Sequence, residues 1–330
     1  MLELTVAAFT LFSLILYALT GGADFGGGMW DLLASGPRAA RQREVIASAI
    51  GPIWEANHVW LILIVVLLFT GFPAGFAAMM TALHIPLTVM LVGIVLRGSA
   101  FIFRKYDSRS APVQRRWSTL FGAASFFTPF VQGIVLGALV TGRIRVLEGR
   151  VLTGFFAGWL TPFALLCGLF ALALFAFLSA TYLSLECPEE PELQNDFRKR
   201  ALGSGLALAP ITLCVFLSAR TGAPAMFDGL THWWAPLLLL ATSVFALAAL
   251  GALWFRKYTL ARVAAIGQVA LILFGWCLAQ YPNLIIPDVT TLTCAAPPAT
   301  LRLLILALAG GSLALFPSLF FLFYVFKRER

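Results

Sequence analysis

Charge is scarce in this sequence, and the scarcity decides its class. Only 12% of the 330 residues are Asp, Glu, Lys or Arg, about half the roughly 25% of an ordinary soluble domain. Histidine is rarer still, with three: His58, His84 and His232. The five cysteines, Cys167, Cys187, Cys214, Cys277 and Cys294, form no CxxC pair. That pattern supports neither a zinc site nor a disulfide framework, and an odd number cannot pair fully within the chain. Cys167, Cys214 and Cys277 sit in apolar runs as small packing residues. The formal charge of +8 is dispersed between apolar runs rather than gathered on a face, so no nucleic-acid partner is expected. No basic segment precedes the first apolar run and no convincing cleavage site follows it, so that run is expected to be retained as a helix.

Apolar residues supply what charge does not. They make up 60% of the chain and include 29 Phe, with a mean hydropathy of +0.91. A soluble fold could not cover that much apolar surface with so few charges. Lipid as solvent removes the difficulty. About 20 apolar residues cross the hydrocarbon core as a helix. Nine segments reach that length: 3–21, 53–71, 76–97, 119–141, 153–181, 201–219, 235–255, 262–281 and 301–326. Between them lie "FRKYDSRSAPVQRR" (103–116), "ECPEEPELQNDFRKR" (186–200) and "NLIIPDVTTLTCAAPP" (283–298). The last is expected as an ordered external loop, since its prolines stop a helix. The prediction is an all-α polytopic membrane protein, with residues 1–330 as a single integral membrane domain.

Nine spans put the termini on opposite sides. Of the 23 Lys and Arg, only Arg143, Arg145, Arg150, Arg220 and Arg302 fall on the N-terminal side. The C-terminus is therefore expected in the cytoplasm and the N-terminus outside.

The first span ends in "TGGADFGGGMWDLL" (20–33). A dinucleotide-binding glycine loop needs a preceding strand and a soluble domain, and neither is expected here. Glycines in a membrane helix instead let backbones approach closely or let the helix break. Asp24 lies among them, and a carboxylate facing lipid is costly. Three readings stand for it: an anchor at a helix end, a proton-conducting group, or a contact to a partner. The second span opens with "GPIWEANHVW" (51–60), where Glu55 and His58 share a helical face. A carboxylate and an imidazole can both pass protons. The rival is a satisfied polar network that fixes packing. Arg97, in "LRGSAFIFRKY", either pairs with a carboxylate in the protein or a partner, or snorkels to headgroups.

His84 reads as a satisfied polar group beside a kink at Pro86. His58 and His84 differ in expected depth by roughly 10 Å or more at ~1.5 Å per residue. Bis-histidine haem ligation within this chain is therefore not expected, and no metal ligand is assigned. Gln132, Gln268 and Gln280 are candidates for bonds between helices.

Taken in order, "GGADFGGGMWDLL", "IGPIWEANHVWLI", "LRGSAFIFRKY", "TPFVQGIVLG", "GWLTPFALLCGLFALALFAFLSATYL" and "FGWCLAQYPNLI" resemble subunit II of cytochrome bd-type quinol oxidases. The resemblance implies nine transmembrane helices, as two four-helix bundles plus one more, in a bacterial cytoplasmic (inner) membrane. It implies a similarly folded, haem-bearing subunit I as partner, and in some members a small single-helix accessory subunit. The complex would oxidise membrane quinol and reduce dioxygen to water. Two b-type haems and a d-type haem, or a b-type in its place, would sit largely in subunit I. Some members hold a structural quinone in subunit II. The family's acidic residues associated with proton delivery fall on Asp24 and Glu55. Glu55 stands where the better-known form carries aspartate, and His58 where that form carries glutamine or a similar residue. These departures suggest a divergent branch, with the cyanide-insensitive one a candidate. Two other classes compete: a secondary transporter, which also uses broken helices and buried carboxylates, and a purely structural scaffold.

Overall fold

The structure, a computed structural model, describes residues 1–51, 54–106 and 111–328. Side chains at 55–56, 105–106, 111–112, 322–323 and 326–328 lie outside the description. The chain runs through α1 (Leu2–Leu32), α2 (Ala39–Ile50), α3 (Trp54–Gly71), α4 (Pro73–Ala82), α5 (His84–Tyr106) and α6 (Ala111–Val140). After a two-stranded hairpin, β1 (Val146–Leu147) and β2 (Arg150–Val151), come α7 (Pro162–Leu183), α8 (Pro191–Gly222), α9 (Pro224–Leu230), α10 (Ala235–Trp254) and α11 (Tyr258–Gln280). A second hairpin, β3 (Asn283–Ile285) and β4 (Val289–Thr290), leads into α12 (Pro298–Arg328).

Among the described residues, eight helices are long and apolar enough to cross a membrane. A ninth span is reached when α3 and α4, bent by 118° at their junction, are counted together. Exposure fits lipid as the solvent: Leu303, Leu306, Leu313 and Phe320 on α12 are each at least two-thirds exposed.

Packing divides the long helices in two. α1, α3, α5 and α6 form one group, and α7, α8, α10 and α11 the other. α7 lies against both α1 and α6 and so joins the groups, while α12 lies against α1 and α3. Phe25 and Met29 of α1 meet Phe177 and Leu178 of α7 in the buried joint. Between α6 and α7, a Cβ on Gly133 would strike the Cys167 carbonyl, and one on Gly137 would lie 2.8 Å from the Cys167 Cβ. Small residues four apart thus let these two backbones touch.

Several helix ends differ from the hydropathy pattern, each for a local reason. α1 does not stop near residue 21 but continues as helix to Leu32. The span expected over 76–97 is divided at Leu83, where α4 ends and α5 begins one residue later. Pro86 lies in the first turn of α5, just past that interruption, where a missing N–H costs nothing. α7 begins at Pro162 rather than 153, because the Thr161 side chain accepts the backbone N–H of Ala164 and Pro162 follows as the first helical residue. The apolar residues 152–160 belong to the preceding loop. α6 begins at Ala111, within the charged stretch that was expected to be a connection.

The stretch 283–298 is ordered around the second hairpin, with Ile285, Val289, Cys294 and Ala296 buried. The two hairpins are tied together at one end of the molecule. Arg145 donates to both carboxylate oxygens of Asp288 at 2.8 and 3.1 Å, and the backbone N–H of Val146 donates to Oδ2 at 2.8 Å. The Arg145 guanidinium holds the Asp288 carboxyl below the usual carboxylate range.

Candidate functional site

The glycines at the end of α1 make the site possible by leaving no Cβ where neighbours come closest. A Cβ on Gly22 would lie 2.7 Å from the Phe175 ring, and one on Gly26 would strike the Phe175 carbonyl. A Cβ on Gly27 would lie 2.6 Å from Ile50, and one on Gly28 would strike the Ser125 hydroxyl. The stretch therefore admits α7, α2 and α6 on different faces of one unbroken helix. It is neither a loop nor a break.

Asp24 is carried into that crowded interior and is 3% exposed. Arg97 of α5, 1% exposed, donates from Nη2 to Asp24 Oδ1 at 2.5 Å and to the Asp24 carbonyl at 3.2 Å. Its Nε donates to Ser125 Oγ of α6 at 3.1 Å. The guanidinium also lies over the rings of Phe25 and Phe121, 4.8 and 5.1 Å from their centres. Arg97 is thus an internal partner of Asp24 and does not reach for headgroups. Its three hydrogen-bond acceptors and two rings replace the water it loses. The second carboxylate oxygen, Asp24 Oδ2, is buried without a hydrogen-bond partner among the described residues.

The same arrangement recurs seven residues on. Asp31, 1% exposed, accepts from Arg104 Nη1 at 2.8 Å through Oδ2. Its Oδ1 is likewise buried without a partner. Seven residues before Asp24, the Tyr17 hydroxyl accepts from Gln132 Nε2 at 2.7 Å. Residues 17, 24 and 31 of α1 thus face residues 132 and 125 of α6 and 97 and 104 of α5. Two helical turns, about 10.5 Å, separate successive levels. Nothing in the sequence reading assigned Asp31 a role, although it stood in the quoted motif. The signal that finds it is the shared spacing of 73 residues between 24 and 97 and between 31 and 104.

The second cluster is less fully described. Glu55 lies in the first turn of α3, and its side chain is outside the description. His58 Nδ1 meets the Trp54 carbonyl at 2.9 Å, and its Nε2 is buried without a partner among the described residues, as is Nδ2 of Asn57. The Trp54 ring lies edge-on to His58 and 5.9 Å from that of Phe101 on α5. The Trp54 ring thereby ties the start of α3 to α5.

The histidines do not suit a shared haem. His58 sits near the start of α3, whereas His84 is the first residue of α5, beyond the far end of α3 and the bend. Thirteen helical residues separate His58 from Gly71, roughly 20 Å along the axis. His84 and His232 are both exposed. Among the described residues no three His, Cys, Asp or Glu cluster as metal ligands. The donor set of this chain does not fit bis-histidine haem.

At the end of the molecule where α1 stops, arginines close helix termini. Arg43 donates to the Asp31 and Ala34 carbonyls. Arg200 of α8 donates to those of Trp30 and Leu33 and to Gln42. Arg198 donates to the Leu253 and Trp254 carbonyls at the end of α10. Each places a cation at the negative end of a helix. Acidic residues at the start of α8 pair with the start of α2: Arg38 with Glu192 and Asp196, and Arg41 with Glu190.

Fold and site define a multi-pass helical membrane protein that buries acid–arginine pairs in its first bundle. The family model described as "Cytochrome bd terminal oxidase subunit II" matches residues 2–326, and the chain belongs to that family. It is 25% identical over 329 residues to the "Putative cytochrome bd menaquinol oxidase subunit II" of Bacillus subtilis (strain 168), covering 96% of this chain and 92% of that protein. It is 30% identical over 223 residues to the "Cytochrome bd-I ubiquinol oxidase subunit 2" of Escherichia coli (strain K12), covering 66% of this chain but only 55% of that protein. In fold it matches a chain of the solved bd oxidase from Geobacillus thermodenitrificans with a TM-score of 0.77, across 100% of this chain and 99% of that one, at 21% identity.

Proposed function

We propose that this chain works as subunit II of a bd-type terminal oxidase that oxidises membrane quinol and reduces dioxygen to water. The observation that carries the proposal is the family match over residues 2–326. The haems belong to the partner subunit, two of b type and one of d type or its b-type replacement. The unsuitable histidine placement in this chain supports that division. The complex sits in the bacterial cytoplasmic membrane, with the N-terminus outside and the C-terminus inside, as the bias of Lys and Arg between connections supports. A single-helix accessory subunit and a structural quinone are compatible additions. The bare face of α12 leaves room for either.

The chain's own residues shape the partner's environment and handle protons. Asp24, held by Arg97 through Oδ1, keeps Oδ2 free for a proton. Glu55 and His58 stand at the cytoplasmic start of α3 as the second group of the route. Protons taken from inside and released from quinol outside make turnover electrogenic without a pump. Each charge moved across ~100 mV corresponds to ~2.3 kcal/mol.

The test is a gentle purification of the chain from its native membrane, with a visible spectrum and mass identification of what accompanies it. A haem-bearing partner is expected. A solitary chain that moves a solute would instead mark a transporter. In the assembled complex, Glu55→Gln should slow oxygen consumption with the haem spectrum intact. Normal turnover and normal voltage in that variant would leave the chain a scaffold.

A further inference from the structure

Asp31 repeats every physical feature that makes Asp24 a candidate proton carrier. Both carboxylates are at most 3% exposed. In both, an arginine of α5 holds one oxygen and the other oxygen has no partner. In both, the arginine fixes the rotamer, so the unheld oxygen can gain or lose a proton while the hydrogen bond to the held oxygen persists. The levels differ in access. The Arg97 side chain is 2% exposed, whereas that of Arg104 is 17% exposed. Asp31 also lies in the last turn of α1, where Arg43 of α2 and Arg200 of α8 reach the helix end. The groups facing it are therefore Arg104 and Arg43, with Arg200 beyond them. The Asp31 level is the one nearest water.

We propose that Asp31 is a further proton-relay residue, taking protons at Oδ1 at the mouth of the first bundle and passing them to Oδ2 of Asp24, with Arg104 as its positioning residue. The inference rests on the proton-delivery reading above and adds its uptake step. One proton from bulk water binds Asp31 Oδ1 and forms an O–H bond. That bond then breaks toward a bridging water, and a proton from the water reaches Asp24 Oδ2. No electron moves. The step of about 10.5 Å along the axis is too long for direct transfer and requires bridging water. Buried polar atoms lacking protein partners are where internal water is held. Thr128 Oγ1 and Gln132 Oε1, also buried without partners, extend the polar lining beyond Asp24.

The test uses the complete oxidase complex reconstituted in vesicles, with oxygen consumption, voltage generation and haem spectrum measured together. The double variant Asp31→Asn with Arg104→Gln removes the group without stranding a buried charge. Turnover should fall on the order of 10²-fold, the low end for a positioned proton-transfer group, with its pH profile shifted and haem content unchanged. Asp31→Glu, which restores a carboxylate, should recover most of the rate. A double variant that turns over normally while Glu55→Gln is slow overturns the role of Asp31 and leaves the wider reading standing. Normal turnover in both the double variant and Glu55→Gln ends the wider reading too. Loss of haem or of the partner in the double variant, or no recovery with Asp31→Glu, makes the pair a structural tie and overturns the proposal.

Discussion

The Asp24–Arg97 pair should be unequal in what each partner loses, and the inequality can be measured. In Arg97→Gln, Asp24 Oδ1 loses its one hydrogen-bond partner, and Oδ2 had none. The carboxyl group is left unsatisfied in either protonation state. Breaking a buried pair this way costs about 3–5 kcal/mol. In Asp24→Asn, Arg97 keeps Ser125 Oγ at 3.1 Å, the Asp24 backbone carbonyl at 3.2 Å and two aromatic faces. Desolvated cation–π contacts alone are worth up to about 2 kcal/mol, so Asp24→Asn should cost less, by roughly 1–2 kcal/mol. The double variant leaves no charge stranded and should be less destabilised than the sum of the singles. Reversible unfolding of the purified complex in mixed micelles, followed by tryptophan fluorescence and haem absorbance, reads all four corners of the cycle. If Arg97→Gln proves no more costly than Asp24→Asn, or the two effects simply add, the geometry is not what holds this pair.

Four further outcomes are expected. Gly26→Ala gains up to about 1 kcal/mol of helix propensity but drives a methyl into the Phe175 carbonyl; a net loss of about 1–3 kcal/mol from overpacking follows. Gly203→Ala, with open space at its Cβ, should be neutral or stabilising in the same unfolding assay. Thr161→Ala removes the cap on α7 and should cost about 1 kcal/mol, seen as faster amide exchange over 163–165. The Asp288 carboxyl is held below its usual range by Arg145, so the hairpin clamp is intact above the ordinary carboxylate range. It is lost as pH falls through the lowered folded value. Proteolysis of the 145–153 loop should accelerate only in strong acid, and Asp288→Asn should remove that dependence.

Apolar run length disclosed the long helices, because lipid imposes a single demand on all of them. Their ends followed local chemistry that hydropathy averages away. Thr161-Pro162 is a start signal written in the sequence, yet the apolar loop "LTGFFAGWL" before it blurred the boundary. The glycines after Thr20 looked like a possible break, but they proved to be contact points, since only the placement of α2, α6 and α7 reveals why a Cβ is excluded. Asp24 and Arg97 were each visible as costly residues that needed an explanation. That they explain each other depends on the Arg97 side chain of α5 reaching across the bundle to α1, which no local pattern encodes. Asp31 stands at the tail of the same motif, and its seven-residue offset from Asp24 gains meaning only beside Arg97 and Arg104. The role of Glu55 rests on the sequence and the family, with its side chain outside the described structure.

Arg198 and Arg200 stand two residues apart yet close two different helices, α10 and α1, that belong to different bundles. During insertion their positive charge is all that matters, and lysine would orient the chain as well. In the finished protein a planar, forked donor is required to reach two carbonyls at once. Swapping both for lysine should therefore yield a correctly threaded chain whose halves are no longer latched together at that rim, and this would separate the information that directs threading from the information that completes assembly.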